Sequence, residues 1–549
     1  MAAGPTIPST TTTTGTNNNN NNSNNHHHHN SNATWAFLPS ILVVDILSYL
    51  SLEDRIRAST VCKRWRCCLF HPSLWPRLVL ELGSAVRRRR SKFLAARCGR
   101  FVRQTEIVFD SHNINQVRDC LKLLHVVATN KNTQCFTLRP SGCQIEWPTT
   151  MPPNNNVNNS HHSNNVNCDE INNNDDDDAD SNGNSDDGGG SSAAASNHAV
   201  AATSSSSSME PPVHTIDQYL DNIEALIKNS RHLQHFALGC VEELLEHSNV
   251  IVNLLTQHHA STLQSLHLAS VKEDSESYGI IDLNANDFCH FTALHSLSLD
   301  YDYLTNDLLH IFLDSKKTKL EVLVINVHGI DADHEVITNE TWRRLRNHSP
   351  DLEVTLNLIH SFEGVAVLLD ILQPSMPLAK FRQMFCSNIN IASISFISSH
   401  YNNTLKEIHI IDGFINGDPN IYEIEADEDP FVMLAWRCPK LEHFTLIGYQ
   451  ACDDDMVAIA RLRGQQLKTF DIPASCIYSL HEEEEVAWLK FGSFDGEFFQ
   501  KVSESLGRDW LPLKNSQLPA AVLDAQADAE PAYMHILLDD QAWKGRNQR

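Results

Sequence analysis

The sequence predicts an α/β protein in which a short three-helix module is followed by an irregular solenoid of strand and helix repeats. A dense apolar stretch near the N-terminus indicates the module, and a leucine pattern that recurs through the second half indicates the repeats. Two low-complexity tracts, a tail at 1–32 and an acidic, Asn- and Ser-rich linker at 149–212, have almost no apolar side chains to bury. We therefore expect both tracts to be disordered.

The composition of the 549-residue chain narrows its class. A formal net charge of −26 argues against a chain-wide role in binding polyanions. Fourteen cysteines are present, but no two have the C-x-x-C spacing of zinc-ligand pairs. The sequence has no visible secretory signal and no run of about 18 apolar residues, so we expect no membrane partner and a cytoplasmic or nuclear location, or both.

Residues 38–78 predict three short helices. Pro39 suits the first helical position, which needs no backbone donor. The second helix opens at Ser51, whose spacing to Asp54 resembles a capping box, and the third carries Trp65. Helices this short and this apolar cannot bury all their apolar surface among themselves. Periodicity alone leaves two interpretations open, a partner-binding module and a subdomain packed on its own chain.

The spacing of residues in this stretch resembles an F-box. The matching residues are Leu38, Pro39, Ile46, Leu50, Leu52, Asp54, Val61, Cys62, Lys63, Trp65, Leu74 and Trp75. The resemblance implies an F-box at 34–80 that binds the Skp-type adaptor of an SCF complex, and through it a cullin and a RING subunit. The adaptor-binding residues that it implies are Leu38, Pro39, Ile41, Leu42, Ile46, Leu50, Leu52, Val61, Cys62, Trp65, Leu74 and Trp75.

A basic segment at 87–103 follows the module. It is compatible with a nuclear-import or nucleic-acid patch, but Phe93 and Leu94 interrupt it, so a helix with a solvated basic face is the simpler interpretation. Strands predicted at 101–109 and 135–138, around a helix at 117–128, make 81–148 the first helix–strand units of the repeat region.

A Leu-x-x-apolar-x-apolar pattern recurs every 26 to 36 residues from about residue 216 onward. The copies begin at Leu233, Leu263, Leu294, Leu320, Leu405, Leu441 and Leu467, and irregular copies begin at Leu352 and Leu378. Strands with helices between them in this pattern are typical of a leucine-rich-repeat-like solenoid, whose strands line one concave face. A doubly wound α/β domain would share the alternation but not the repeated pattern. The predicted recognition domain covers 213–515 and leaves a C-terminal segment at 516–549.

Polar side chains between the buried strand positions are expected to face the concave surface and to bind a protein substrate. The predicted substrate-binding residues are His267, His295, Glu321, Glu407, His409 and His443. Short stretches around 428–438 and 459–464 also resemble a member of the F-box family. The resemblance implies the substrate-recognition subunit of an SCF-type ubiquitin ligase, which presents a target for ubiquitination and proteasomal degradation. Alternatives are a nucleic-acid-associated protein that uses 87–103 and a scaffold that does not lead to proteolysis.

Sequence motifs of catalysis are missing: there is no P-loop, GxSxG, HExxH or dinucleotide-binding GxGxxG pattern. We therefore expect a non-catalytic protein without a cofactor or a metal site. Cys67 and Cys438 each follow an arginine, which can lower a thiol pKa, but a buried structural cysteine is the simpler interpretation of both. Four histidines at 26–29 belong to the tail, where no fold would fix their geometry.

Overall fold

The computed structural model describes residues 38–147, 216–274, 279, 283–331, 334–422, 428–479 and 496–544. The tail at 1–32, with its four histidines, and the linker at 149–212 lie outside the described residues, so their predicted disorder stays a prediction. The chain divides into two compact units, one ending at Trp75 and one beginning at Pro76.

The first unit contains three short helices, as the sequence predicts. They are α1 (Ser40–Ser48), α2 (Leu52–Ala58) and α3 (Lys63–Leu69), followed by a 3₁₀ turn at Pro72–Leu74. Pro39 is the N-cap of α1, one position earlier than predicted. The backbone N–H of Asp54 donates to Ser51 Oγ at 3.2 Å, which confirms the N-cap of α2. The Asp54 carboxylate accepts from the Ser51 hydroxyl, so the second bond of this capping box joins the two side chains.

Arg55 holds the helices of the first unit together. Its guanidinium donates to three backbone carbonyls, those of Leu47 at 3.0 Å, Leu50 at 3.2 Å and Leu74 at 2.6 Å. The same group lies 5.9 Å from the centre of the Trp75 ring, within the range of a cation–π contact. These bonds join α2, which carries Arg55, to the C-terminal end of α1 and to the 3₁₀ turn.

In the part of the chain that the structure describes, the second unit is built on a parallel sheet of twelve strands whose order in space follows their order in the chain. The strands are β1 (Arg77–Glu81), β2 (Gln104–Phe109), β3 (Cys135–Pro140), β4 (His235–Ala237), β5 (Ser265–His267), β6 (Ser296–Asp300), β7 (Val322–Val327), β8 (Glu353–Ile359), β9 (Leu378–Met384), β10 (Glu407–Ile411), β11 (His443–Ile447) and β13 (Thr469–Asp471). A separate pair is formed by β12 (Ala451–Cys452) and β14 (Ile477–Tyr478). Within the described residues the strand order never reverses, whereas a doubly wound sheet requires a reversal.

Helices connect most of the strands. They are α4 (Ala85–Cys98), α5 (Ile114–Ala128), α6 (Ile216–Asn229), α7 (Glu242–Leu245), α8 (Ser248–His259), α9 (Asn306–Ile311), α10 (Asn339–His348), α11 (Phe362–Ala366), α12 (Leu368–Ile371), α13 (Ile391–His400), α14 (Pro430–Arg437), α15 (Asp453–Arg463), α16 (Gly496–Leu506), α17 (Ala520–Leu523) and α18 (Glu530–Asp540). Every leucine pattern that predicts a strand coincides with one, from β4 to β11 and β13. The strand β1 was not predicted and lies where the predicted F-box ends.

The two faces of the sheet differ in chemistry. One face carries fully buried apolar side chains such as Leu266, Leu297 and Phe381, which form the core with the helices. The opposite face, called the polar face below, is defined by rows of side chains that the parallel register places side by side. One row consists of Asp300, Asn326, Asn357, Arg382, His409, Thr445 and Asp471.

Candidate functional site

Helix α1 presents an apolar surface to solvent. It buries only Val43 and Leu47, while Ile41 is 77% exposed and Leu42 is 47% exposed. Tyr49, the C-cap of the helix, is 84% exposed. Large apolar side chains are seldom exposed together over so short a stretch unless they contact a partner. The sequence correctly predicts an excess of apolar surface here, but not that a single stripe of α1 is buried.

The twelve predicted adaptor-binding residues separate into two groups. Exposed or half-buried residues are Leu38, Pro39, Ile41, Leu42, Ile46, Leu50, Leu52, Val61 and Cys62. Trp65, Leu74 and Trp75 are buried in the chain, so the expectation of a direct adaptor contact must be corrected for these three. Trp75 donates from Nε1 to the carbonyl of Leu69 at 2.6 Å and stacks near Arg55, which gives it a role in holding α3 in place.

The C-terminal segment covers the polar face of the sheet, which the sequence does not predict. Neighbouring strands contribute Ile359, Met384, Ile411 and Ile447, one from each of β8 to β11. These side chains form one buried cluster with residues of the C-terminal segment, namely Ala521, Val522, Ala532, Tyr533, Met534, Leu537 and Leu538. The apolar residues at 532–538 are the signal in the sequence that could have revealed this docking.

The acidic end of α18 is bound by basic residues of the polar face. Asp540 contacts both Arg382 and Lys380, with a distance of 3.2 Å from Lys380 Nζ to Asp540 Oδ1. Burial by itself raises the pKa of Asp540, but the charges of Arg382 and Lys380 outweigh it and the pKa is lowered. Glu407 is the second partner of Arg382, with Nε 2.6 Å from Oε1, and its pKa is lowered for the same reasons.

A second ionic contact shows that the sheet is strongly curved. Arg139 on β3 bonds Asp539 at 2.7 Å, whereas Arg382 on β9 bonds the adjacent Asp540. Six strand-to-strand steps separate β3 from β9, or roughly 29 Å along the sheet. The two aspartate Cα atoms are only about 3.8 Å apart. The sheet therefore bends around the end of α18, which bonds both β3 and β9.

The predicted substrate-binding residues occupy different environments. His267 and His295 are buried, so the expectation that they present an exposed surface is wrong. His267 is hydrogen-bonded to Ser265 and Ser298, and burial lowers its pKa to about 4. His295 and Glu321 precede β6 and β7 rather than lying within them.

The other predicted residues are half-buried. Glu407 is bound to Arg382, and His443 Nδ1 lies 3.1 Å from Thr469 Oγ1. Burial and the nearby charge of Arg382 lower the pKa of His409 to about 4. Glu407 and His443 thus have partners within the sheet, and the C-terminal segment packs over part of the polar face.

A cleft remains beside the end of α18. Its volume is about 560 Å³, and it is lined by residues that include His295, Glu321, Glu353, Lys406 and Trp543. Because carboxylates, lysines and an aromatic ring share this rim, it can contact a polar peptide surface of either charge.

The basic segment forms α4, as the sequence predicts. The helix buries Leu94, Ala95 and Cys98 and exposes most of its basic side chains. Lys92 Nζ lies 2.6 Å from Asp119, which neutralises part of this charge. The structure therefore agrees with a helix that has a solvated basic face.

The thirteen cysteines within the described residues are unpaired. Burial raises the pKa of Cys438 to about 12 even though Arg463 and Arg437 lower it. The hypothesis of an arginine-activated thiol is therefore wrong for Cys438, while the simpler interpretation of a buried structural cysteine agrees with the structure. Across the part of the chain that the structure describes, no helix combines the length and the apolarity that crossing a bilayer requires.

The first unit is a module of three short helices with an exposed apolar stripe, and residues 35–81 match the F-box-like family. The chain is also similar over most of its length to F-box only protein 33. The Homo sapiens protein is 28% identical over 525 residues, which cover 86% of this chain and 82% of that protein. The Mus musculus protein is 27% identical over 524 residues, with the same shares.

A third relative matches a much shorter stretch. F-box/LRR-repeat protein 21 of Mus musculus is 41% identical over 51 residues, or 9% of this chain and 12% of that protein. The resemblance to the F-box family is confirmed: residues 35–81 match the F-box-like family, and most of the chain is similar to F-box only protein 33.

Proposed function

We propose that this chain is the substrate-recognition subunit of an SCF-type cullin–RING ubiquitin ligase. The observation that carries the proposal is the exposed apolar side of α1 within the stretch that matches the F-box-like family. Burying the remaining exposed surface of Ile41 and Leu42 against a Skp-type adaptor would contribute at most about 1.5–3 kcal/mol each. The adaptor connects the chain to the cullin and the RING subunit, and the second unit presents a protein target for ubiquitination and proteasomal degradation.

The role of the chain in this proposal is proximity rather than catalysis. Holding a target near a ubiquitin-charged E2 raises the effective concentration of its lysines. Three buried thiols are unsuited to carrying ubiquitin, because a cysteine that forms a thioester must be accessible and readily deprotonated. Burial raises the pKa of Cys98, Cys120 and Cys438 to about 12. A cytoplasmic or nuclear location follows from the partners proposed.

The second unit in this proposal is a leucine-rich-repeat-like solenoid. Three observations support it: the strands follow chain order, the leucine pattern coincides with them, and the sheet curves so strongly that α18 bridges β3 and β9. We place target contact at the rim of the 560 Å³ cleft, where Glu321 and Lys406 are accessible in part. Of the residues expected to bind a substrate, Glu321 is the one we assign to this rim.

Co-purification tests the adaptor part of the proposal. Leu38 and Pro39 are accessible and precede α1, so replacing both with alanine should remove the adaptor from the purified complex. The thermal unfolding of the second unit should not change. Adaptor recovery at the normal level with the double variant would contradict the assignment.

A measurement of target lifetime tests whether the complex leads to proteolysis. Proteins labelled by proximity to the chain should accumulate under proteasome inhibition, and their half-lives should lengthen when the chain is depleted. Unchanged half-lives for all of them would indicate a scaffold instead. Glu321→Lys should weaken recovery of these proteins without affecting adaptor binding, and equal recovery would remove Glu321 from the target surface.

A further inference from the structure

Three metal-ligating side chains converge where the C-terminal segment meets the loop after β2. His112 lies in that loop, Glu530 is the first residue of α18, and Asp528 precedes it. One ligand atom from each residue lies within 4.8 Å of the other two. The Nε2 atom of His112 is 3.8 Å from Glu530 Oε2. Zn²⁺ holds such ligands at about 2.0–2.2 Å, so small rotations of the exposed His112 and Asp528 side chains toward Glu530 would complete a site.

The glycine beneath this cluster gives independent support for a built site. A Cβ atom at Gly142 would lie 2.2 Å from Glu530 Oε2 and 2.5 Å from His112 Nε2. Both distances are shorter than Cβ atoms tolerate, so any larger residue would separate the imidazole from the carboxylate. Gly142, in the loop after β3, therefore leaves room for the imidazole of His112 and the carboxylate of Glu530 to approach each other.

Hydrogen bonds orient the two candidate carboxylate ligands, and a backbone bond fixes the loop that carries His112. Cys143 donates its backbone N–H to Glu530 Oε2 at 3.0 Å and its thiol to the other carboxylate oxygen. The N–H of Glu530 donates to Asp528 Oδ1 at 2.9 Å, and the N–H of His112 donates to Asp110 Oδ1 at 3.1 Å. Outer hydrogen bonds of this kind are a regular feature of protein metal sites.

The surrounding charge favours a cation. The cluster borders a cleft of about 720 Å³ that is also lined by Glu273, Asp274 and Asp412, against one lysine, Lys272. Lys272 itself lies 3.6 Å from Glu242 and 3.8 Å from Asp300. Carboxylates held this close disfavour one another's charged forms, and a bound cation removes that cost.

We propose that His112, Asp528 and Glu530 bind a divalent transition-metal ion of the Zn²⁺ class, with water in the remaining position. An imidazole ligand favours Zn²⁺ over Ca²⁺ and Mg²⁺, which prefer oxygen ligands alone. The ion fastens the start of α18 to the loop after β2, at the opposite end of the helix from Asp540. It therefore strengthens the cover over the polar face, and this role is independent of adaptor docking.

Hydrogen exchange of the full chain tests the proposal at the site itself. Total zinc content is uninformative because the chain has 29 histidines, four of them consecutive in the tail. After removal of metal by EDTA, ZnCl₂ should slow amide exchange in the first turns of α18. At a free concentration 100 times the Kd, the slowing of local opening approaches about 100-fold. Exchange in β7, which contributes no residue to the lining of this cleft, should not change.

Matched histidine variants complete the test. His112→Ala should abolish the zinc-dependent slowing in α18, whereas His290→Ala, at another exposed histidine, should leave it intact. The proposal is overturned if ZnCl₂ has no effect on α18, if the effect persists in His112→Ala, or if CaCl₂ produces the same effect. Unchanged exchange in β7 for each variant shows that the sheet has kept its fold.

Discussion

Replacing Asp540 with asparagine should loosen the C-terminal segment from the polar face. The Asp540 side chain is 9% exposed and contacts both Arg382, which is 4% exposed, and Lys380. Removing one member of a buried ion pair typically costs about 3–5 kcal/mol, because the other charge loses its partner. Arg382 keeps its contact with Glu407, so we expect the lower end of this range, about 3 kcal/mol.

The neighbouring aspartate provides the control. Asp539 also bonds an arginine, Arg139, but its side chain is 70% exposed. Solvent screens such a pair, so Asp539→Asn should cost at most about 1 kcal/mol. The two variants change the same chemical group at adjacent positions of one helix and differ mainly in burial.

Hydrogen exchange of α18 measures both variants under native conditions. At 1.4 kcal/mol per tenfold change, Asp540→Asn should speed amide exchange in α18 by roughly 140-fold, and Asp539→Asn by at most about fivefold. Exchange in β13, none of whose residues lines the cleft beside Asp540, should stay the same in both. Equal acceleration by the two variants, or none in Asp540→Asn, would refute the reasoning that burial of this pair anchors the segment.

Three further outcomes are expected. Burial raises the pKa of Asp300 to about 6, and a carboxyl whose pKa is raised by folding destabilises the fold as pH rises. Between about pH 4 and pH 6, the free energy of unfolding of the wild type should therefore fall by about 3 kcal/mol relative to that of Asp300→Asn. Urea midpoints of the two proteins that change equally with pH would contradict this. Arg55→Met removes three bonds to backbone carbonyls, at about 1.5–3 kcal/mol for each bond to a charged group, so proteases should cut 38–75 faster. Unchanged resistance would show that Arg55 does not hold the three helices together. Native alkylation followed by mass spectrometry should modify the exposed Cys67 and Cys289 before Cys438, and early modification of Cys438 would contradict its burial.

The positions of most strands could be predicted because each repeat carries its own signal. Leu263 and Leu266 are both fully buried, and the latter is the central residue of β5. Each copy of the leucine pattern therefore indicates which side chains of its own strand face the helices. The strand β1 escaped prediction because it directly follows the F-box-like helices, whose motif includes Leu74 and Trp75 and continues into the strand.

The packing of the C-terminal segment over the polar face could not be predicted from the strands. Alternation within a strand shows which side chains point away from the core, but it does not show what lies above them. Arg382 and Asp540 are 158 residues apart in the chain, and no local pattern links them. The structure therefore differs most from the sequence-based expectation at the concave surface, which the repeats led us to expect to be open.

The F-box-like unit illustrates the same limit on a smaller scale. The spacing of Leu38, Trp65 and Trp75 was enough to indicate the module. It could not show that Trp65 and Trp75 are buried while Ile41 is exposed, because all three are large apolar residues at motif positions or beside them. The packing of the three short helices around Arg55 decides which of these residues is buried and which is exposed.

The affinity of the full chain for a purified Skp-type adaptor tests the central claim most directly. Ile41→Glu places a charge in the exposed stripe of α1, whereas Val86→Glu changes a residue of similar exposure, 76% against 77%, outside the stretch that matches the F-box-like family. Losing a central apolar contact costs about 2 kcal/mol or more, so Ile41→Glu should weaken binding by about 30-fold or more and Val86→Glu should not. Equal affinities for the wild type and Ile41→Glu would contradict the account.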